Sequence, residues 1–365
     1  MYGVILTASN AIAPFPRLER TSRSLAQLGF RCLAIGWDRG GSLPKFEKGN
    51  GVDVVRFSFF GEYGGGIKNL PGLFFFNCYL FVTFLKVCPK VIHAYDLDTV
   101  MPAIFVKMLS NCRIVYDIAD WYADSRRVGK LKWFVERLER WVCKKADLVI
   151  LAHEERLQQI GFEPQRWIVI YNTPEDCFDN LLSKTDGNGY FVYVGVLCPD
   201  RGVEQIVEAA LKVNIKIILA GFGPLEEYCR KIAKKFKNIE FLGRIPYKRT
   251  LEIEKNALAI IALYDPSFRN NRLAAPNKLY EAMMLGQPLI TTKGTLVGEV
   301  VERERIGLTV TYGNVQELCR ALNYLANNPQ ARSEMGRRAR VLYETRYHYD
   351  LRRQKLWKAY RELCA

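Results

Sequence analysis

The chain has 365 residues, 49% of them hydrophobic and 25% charged, and a net charge of +15. That length favours two domains, since a single core stops growing at roughly 250–300 residues, and the composition excludes a disordered or fibrous chain. The surplus of cations asks for an anionic substrate, membrane surface or nucleic acid, and no zinc-finger, helix-turn-helix or aromatic RNA-reading signature accompanies it, so nucleic acid is not expected. Ten cysteines without C-x-x-C spacing read as reduced thiols of a cytosolic protein. Three histidines, at positions 93, 153 and 348, make a bound metal unexpected. Met1-Tyr2-Gly3-Val4-Ile5 enters a strand at once, so no signal peptide is expected.

In chain order, residues 2–8 read as a strand, about Leu18–Leu28 as a helix, and Gly29–Trp37 and Val52–Phe57 as further strands. The aromatic stretch Leu73–Leu85 is too short to cross a bilayer, which takes about 20 residues. It reads either as a buried crossover helix or as a face that touches lipid. Lys90–Ala94 and Arg113–Asp117 are strands with a helix between them. Residues 131–146 form a helix with a basic and an apolar side, either packed on the sheet or lying on a membrane surface. Leu148–Leu151 and Trp167–Tyr171 complete the first series, and the polar, glycine-containing Ser183–Gly189 reads as a linker. A second series starts afresh with strands at Tyr190–Val194, Ile215–Ala220, Ile239–Phe241, Leu258–Leu263, Leu289–Thr292 and Gly307–Val310. Helices follow at Val315–Asn327, Pro329–Tyr343 and about Tyr349–Leu363. Such alternation predicts an α/β protein with doubly wound parallel sheets, divided as 1–182, 183–345 and a terminal segment 346–365.

The densest signal is Ala275–Ile290. Pro276 suits a first helical position. Gly286 suits the left-handed residue past the helix end, and Pro288 blocks continuation. Lys278 and Glu281 share a face near the helix start. There free N–H groups and a positive partial charge suit a phosphate, and a carboxylate one turn deeper suits a ribose diol. The same residues also fit an ordinary helix–strand unit with a surface ion pair.

Pro-x-Lys-x-x-Glu-Ala-Met-x-x-Gly-x-Pro-Leu-Ile resembles the donor-site segment of family-four glycosyltransferases, in a Pro-x-Lys variant. That family has the GT-B fold, two Rossmann-like domains facing a central cleft. The resemblance implies that Glu281 holds the nucleotide ribose, with Asn277 and Lys278 beside it at the helix start. It also implies that the terminal segment crosses back onto the first domain. Many members carry a second Glu at the position of Leu273, near the transferred sugar.

Other segments carry the same resemblance. In Tyr193–Val203, Gly195 permits close approach of a ligand and Arg201 is placed to fork onto a diphosphate. The second Arg usual after that Gly is Val196 here, and Lys278 is offered as its replacement. Gly221 turns at a strand end, and Arg244, Ile245 and Pro246 match the segment that frames the base. In the first half, a long loop with Asn10 and Arg17 lines the cleft or caps a helix, and His93 and Asp96 lie at one strand end. Asp117 and Asp120 lie at the next, where the sugar-contacting His of many members is Ala119. Asp120, Asp117 and Asp96 are the candidates to orient or deprotonate an acceptor hydroxyl, unless each caps a helix.

The resemblance implies a hexosyltransferase that moves a sugar from a nucleotide-diphosphate donor to a saccharide, glycoprotein or lipid-linked acceptor. Retention of configuration, no metal and no cofactor besides the nucleotide-sugar co-substrate are implied with it. Peripheral contact with an anionic membrane, from the cytoplasmic side, is expected from the basic charge and the aromatic segment. Two other readings stay open: a non-catalytic partner of another transferase, and a nucleotide-sugar epimerase of the same fold.

Overall fold

The computed structural model describes residues 2–365 apart from 14, 50, 63, 64, 127, 128 and 177–188 and the side chain of Ile67. The expected linker, save its last glycine, and the expected boundary at 182/183 fall outside the described residues. The chain divides into two units, Met1–Tyr171 with Arg352–Ala365, and Asn172–Leu351.

The first unit is built on β1 Val4–Ala8, β2 Cys32–Asp38, β3 Phe46–Lys48, β4 Val52–Ser58, β5 Val91–Tyr95, β6 Arg113–Ile118, β7 Leu148–Leu151 and β8 Trp167–Val169. They lie in the order β3-β4-β2-β1-β5-β6-β7-β8. All neighbours pair in parallel except β3, which runs antiparallel on the edge. β1, β2 and β5 are buried along their whole length, which is why they read as unbroken apolar runs. The exposed Phe-Glu-Lys of β3 has no apolar face, and sequence reading passed over it.

Helices cover both sides of this sheet. Pro16–Gln27 and the last helix, Tyr349–Cys364, put Leu18, Leu25, Leu356, Tyr360 and Leu363 into one core. Leu70–Val87, Leu97–Leu109 and Lys132–Lys145 cover the other side. The structure corrects the reading of the aromatic helix as buried. Only Gly72, Phe76, Leu80 and Phe84 of Leu70–Val87 are buried, and Phe74 and Phe75 face outward. Gly72 lets the helix lie on Trp37, whose ring would come within 2.4 Å of any Cβ there.

The second unit has β9 Tyr190–Val196, β10 Lys216–Phe222, β11 Ile239–Phe241, β12 Ala259–Ala262, β13 Leu289–Thr292 and β14 Gly307–Val310. Their order is β11-β10-β9-β12-β13-β14, all parallel. The helix of the densest motif spans Asn277–Leu285 and ends on Gly286 at φ 62°. Pro276 is the residue before that helix rather than its first, in an extended conformation at ψ 154°.

Candidate functional site

In an open α/β sheet, ligands sit at the carboxyl ends of the strands where the strand order reverses. In the second unit that point is between β9 and β12. One residue before the end of β9, Gly195 pairs with Gly221 of β10. Gly221 has φ +141°, and a Cβ there would lie 1.8 Å from the Gly195 carbonyl oxygen. Two backbones therefore meet without side chains at this strand end. The Gly221 N–H donates to the Gly243 carbonyl at 2.8 Å, which brings Arg244, Ile245 and Pro246 to the same end of the sheet. Arg244 is exposed, with its guanidinium 4.9 Å from the centre of the Phe222 ring. Pro246 precedes the helix Tyr247–Lys255.

Arg201 follows β9 on a single turn of 3-10 helix, Pro199–Arg201. Its guanidinium lies 4.8 Å from the centre of the Tyr264 ring, just past β12, and Nε is 3.6 Å from Asp200. Asp200 is held in turn by Asn271 at 3.1 Å. Nη1 of Arg201 is buried with no hydrogen-bond partner among the described residues. A buried donor left unpaired is costly, and an anion seated beside it would complete it.

Lys278 does not share that role. Its ammonium is 2.6 Å from Glu281 and 2.6 Å from Glu254, which projects from Tyr247–Lys255. Glu254 and Glu281 are buried, and burial pushes the Glu254 carboxyl up to about 7 against the pull of Lys278. The two carboxylates hold Lys278 protonated well above its ordinary range, despite its burial. The expectation that Lys278 replaces the missing phosphate cation is corrected: its charge is already neutralised between two acids. Glu254 was missed by sequence reading. A signal was present, for it shares the buried side of its helix with Thr250, Leu251 and Ile253, where a lone acid needs a partner.

In the first unit the order reverses between β1 and β5. Here the structure separates the expected residues into two groups. Arg17, His93 and Asp117 are buried and bonded to one another: Arg17 Nη2 donates to Asp117 Oδ1 at 2.6 Å, and His93 Nε2 is 3.1 Å from Asp117 Oδ2. His93 Nδ1 is 2.7 Å from the Tyr360 hydroxyl of the last helix. Burial lowers the pKa of His93 and keeps the ring neutral. Burial opposes the Asp117 charge, but Arg17 and His93 overcome it and hold the carboxyl below its usual range. These three were expected in the cleft; they instead form a buried network that pins the last helix to the sheet. Asn10 likewise serves its own loop, accepting from the Ile12 N–H at 2.9 Å.

Asp96 and Asp120 form the second group. Asp96, the residue after β5, has φ 58° and ψ 172°, a conformation natural only to glycine. Its Oδ1 is buried without a partner among the described residues. Burial, helped by Asp120 and Asp98, pushes this carboxyl up to about 7. Asp120 is half open to solvent and accepts from Arg156 at 2.9 Å. Asp98, not foreseen, accepts from Ser9 and lies 3.7 Å from Arg126.

Comparison with known proteins agrees with this organisation. The family described as "Glycosyl transferase 4-like domain" matches residues 16–173, and "Glycosyl transferases group 1" matches residues 178–342. A D-rhamnosyltransferase of Pseudomonas aeruginosa, WbpZ, is 26% identical over 160 residues, which is 43% of this chain and 41% of the relative. The match thus spans less than half the length of that relative. A sucrose-phosphate synthase from Thermosynechococcus elongatus superposes with a TM-score of 0.79 at 14% identity, over 100% of this chain and 99% of that one. HepE of Anabaena, solved with UDP-glucose, superposes with a TM-score of 0.74 at 15% identity, over 99% and 100%. The two profiles account for nearly the whole sequence, and the chain belongs to the family-four glycosyltransferases of the GT-B fold.

Proposed function

We propose that the protein is a hexosyltransferase that moves a sugar from a nucleoside-diphosphate donor to a saccharide, glycoprotein or lipid-linked acceptor. The second unit receives the donor and the first unit the acceptor. The observation that carries the reading is the buried Nη1 of Arg201, without a partner among the described residues, at the strand-order reversal and beside a strand end where Gly195 and Gly221 meet without side chains. When the bond from the anomeric carbon to the diphosphate breaks, negative charge grows on the leaving oxygen. A guanidinium already fixed against Tyr264 stabilises that charge without reorganising. Glu281 takes the ribose, its carboxylate held in place by Lys278, while Asn277 opens the same helix. Arg244, Ile245 and Pro246 frame the base. Asp96 takes the acceptor hydroxyl proton, with Asp120 beside it. Retention and independence of metal are proposed from family membership. The reaction is assigned to the cytoplasmic side, in the building of a polysaccharide or a glycolipid.

The test is a thermal-shift screen of the protein against uridine, guanosine, adenosine and thymidine diphosphates and their sugars. UDP-glucose comes first, because HepE was solved with it. A ligand at 100 times its Kd adds about 2.7 kcal/mol of stability. The shift should vanish in Arg201→Met and Glu281→Ala with the fold intact. A well-folded protein that no nucleotide stabilises would sink the donor site and favour a non-catalytic partner. Sugar inversion without any acceptor would instead make it an epimerase.

A further inference from the structure

Three neighbouring helices on one side of the first sheet leave their outer sides bare. Along Leu70–Val87 the buried line is Gly72, Phe76, Leu80 and Phe84, and the opposite line carries Phe74, Phe75, Val82 and Leu85. Phe74 is 64% exposed and Phe75 50%. Leu97–Leu109 packs beside it and exposes Phe105, Met108 and Leu109, the last two at 78% and 68%. Lys132–Lys145 packs on Leu97–Leu109 in turn. Its apolar residues do not all face the sheet: Trp133 is 66% exposed and Phe134 58%.

The exposed charges on the three helices themselves are all basic, and beside them the exposed Glu62 pairs with Lys68 at 3.5 Å. Lys68, Lys86, Lys130, Lys132, Arg137, Lys144 and Lys145 are exposed on or beside the three helices. Their acids, Asp98, Glu136 and Glu139, are buried or half-buried. Arg137 lies over the Trp133 ring at 5.0 Å, so cation and aromatic face are presented together. An apolar surface rich in Phe and Trp within a rim of Lys and Arg matches a bilayer whose headgroups are anionic.

We infer that the outer surface of Leu70–Val87, Leu97–Leu109 and Lys132–Lys145 docks in the plane of an anionic bilayer. This follows from the exposed residues alone and does not depend on which sugar is moved. The first helix has the length and hydropathy of a membrane span, with 18 residues at a mean hydropathy of 1.6. Spanning is excluded by its inner side, which is locked into the core: Phe76 stacks on Trp37 at 6.0 Å, and Leu80 and Phe84 are fully buried. At 1.5 Å per residue it would also fall a little short of a hydrocarbon core of about 30 Å. The helix therefore lies along the surface, with its outer residues at the level of the headgroups.

The experiment is co-sedimentation of the full chain with extruded vesicles, either phosphatidylcholine alone or phosphatidylcholine with about 30 mol% phosphatidylglycerol. Partition onto the anionic vesicles should exceed that onto the neutral ones by about tenfold or more, with a blue shift of tryptophan emission. Phe74→Ser with Phe75→Ser, and separately Trp133→Ser with Phe134→Ser, should each lower partition by about tenfold while circular dichroism stays unchanged. Lys86→Glu with Lys130→Glu should remove the preference for anionic lipid. Alkaline carbonate should release the bound protein. Absence of partition onto either vesicle overturns the inference. So does retention through carbonate, which would mean a span. A dimer in sedimentation velocity that Phe74→Ser with Phe75→Ser splits, with vesicle partition unmoved, would assign the surface to a second copy and overturn it too.

Discussion

Arg17 and Asp117 are each other's partners: Nη2 and Nε of the guanidinium donate to the same carboxylate oxygen at 2.6 and 2.9 Å, in surroundings where the side chains are 4% and 1% exposed. Arg17 Nη1 also donates to the Ile170 carbonyl at 2.7 Å. A residue from the first turn of the helix Pro16–Gln27 and a residue from a mid-sheet strand thus neutralise one another under the last helix. Taking both charges out of water is expensive, and the pair is sustained by the bonds around it, including His93 and Tyr360.

Asp117→Asn should therefore act on stability before it acts on transfer. It leaves the Arg17 charge buried without its counter-charge, at a cost of about 3–5 kcal/mol. Urea unfolding followed by tryptophan emission measures this. Arg17→Met combined with Asp117→Leu should be less destabilising than Asp117→Asn alone. A catalytic Asp117 would show the reverse, near-native stability with transfer abolished.

Asp96 makes the opposite prediction. Its φ of 58° and ψ of 172° cost about 1–3 kcal/mol in a residue other than glycine. Asp96→Gly should gain stability by about that amount and lose transfer, while Asp96→Asn keeps the strain and also loses transfer. With the carboxyl at about 7, a base role predicts that kcat rises as pH passes through that value and levels above it. A kcat that is flat from pH 6 to 8 in the active protein would remove Asp96 from the reaction.

Glu139 is a pH lever in the core. It is buried and accepts from the Tyr116 hydroxyl and the Tyr122 N–H, each at 3.0 Å, and burial pushes its carboxyl up to about 8. A raised acid binds its proton more tightly in the folded state than in the unfolded one, where the ordinary value is 4.5. Its contribution to stability is complete below about pH 4.5 and is lost as pH rises to about 8. Glu139→Gln keeps the acceptor and cannot ionise. Melting curves across that range should show the variant overtaking the parent on the alkaline side; parallel curves would contradict the assignment.

Lys278 between Glu254 and Glu281 gives the test of its own role. Lys278→Met leaves two buried acids without a counter-charge and should cost about 3–5 kcal/mol at pH 8. Adding Glu254→Leu should recover much of that. If Lys278 is structural, the double variant binds the nucleoside diphosphate within about threefold of the parent, a change well under 1.4 kcal/mol. A loss of about tenfold or more, read by calorimetry, would return Lys278 to the diphosphate.

The sequence by itself determined the alternation of strands and helices, the Gly286 helix end and the segments that resemble one family. These are local properties. The bounds of β7, β11, β13 and β14 coincide with the runs read from the residues; for β7, Leu-Val-Ile-Leu, the reason is that a fully buried parallel strand is written as an unbroken apolar stretch. Only the tertiary structure decided who partners whom. Arg17 and Asp117 are 100 positions apart and meet because β1, β5 and β6 lie side by side. Glu254 reaches Lys278 because their two helices pack together. The aromatic helix shows the same limit from the other direction: its residues say that it is apolar, but whether its outer side is covered depends on what packs against it, and only the assembled layer of three helices leaves Phe74, Met108 and Trp133 facing out together.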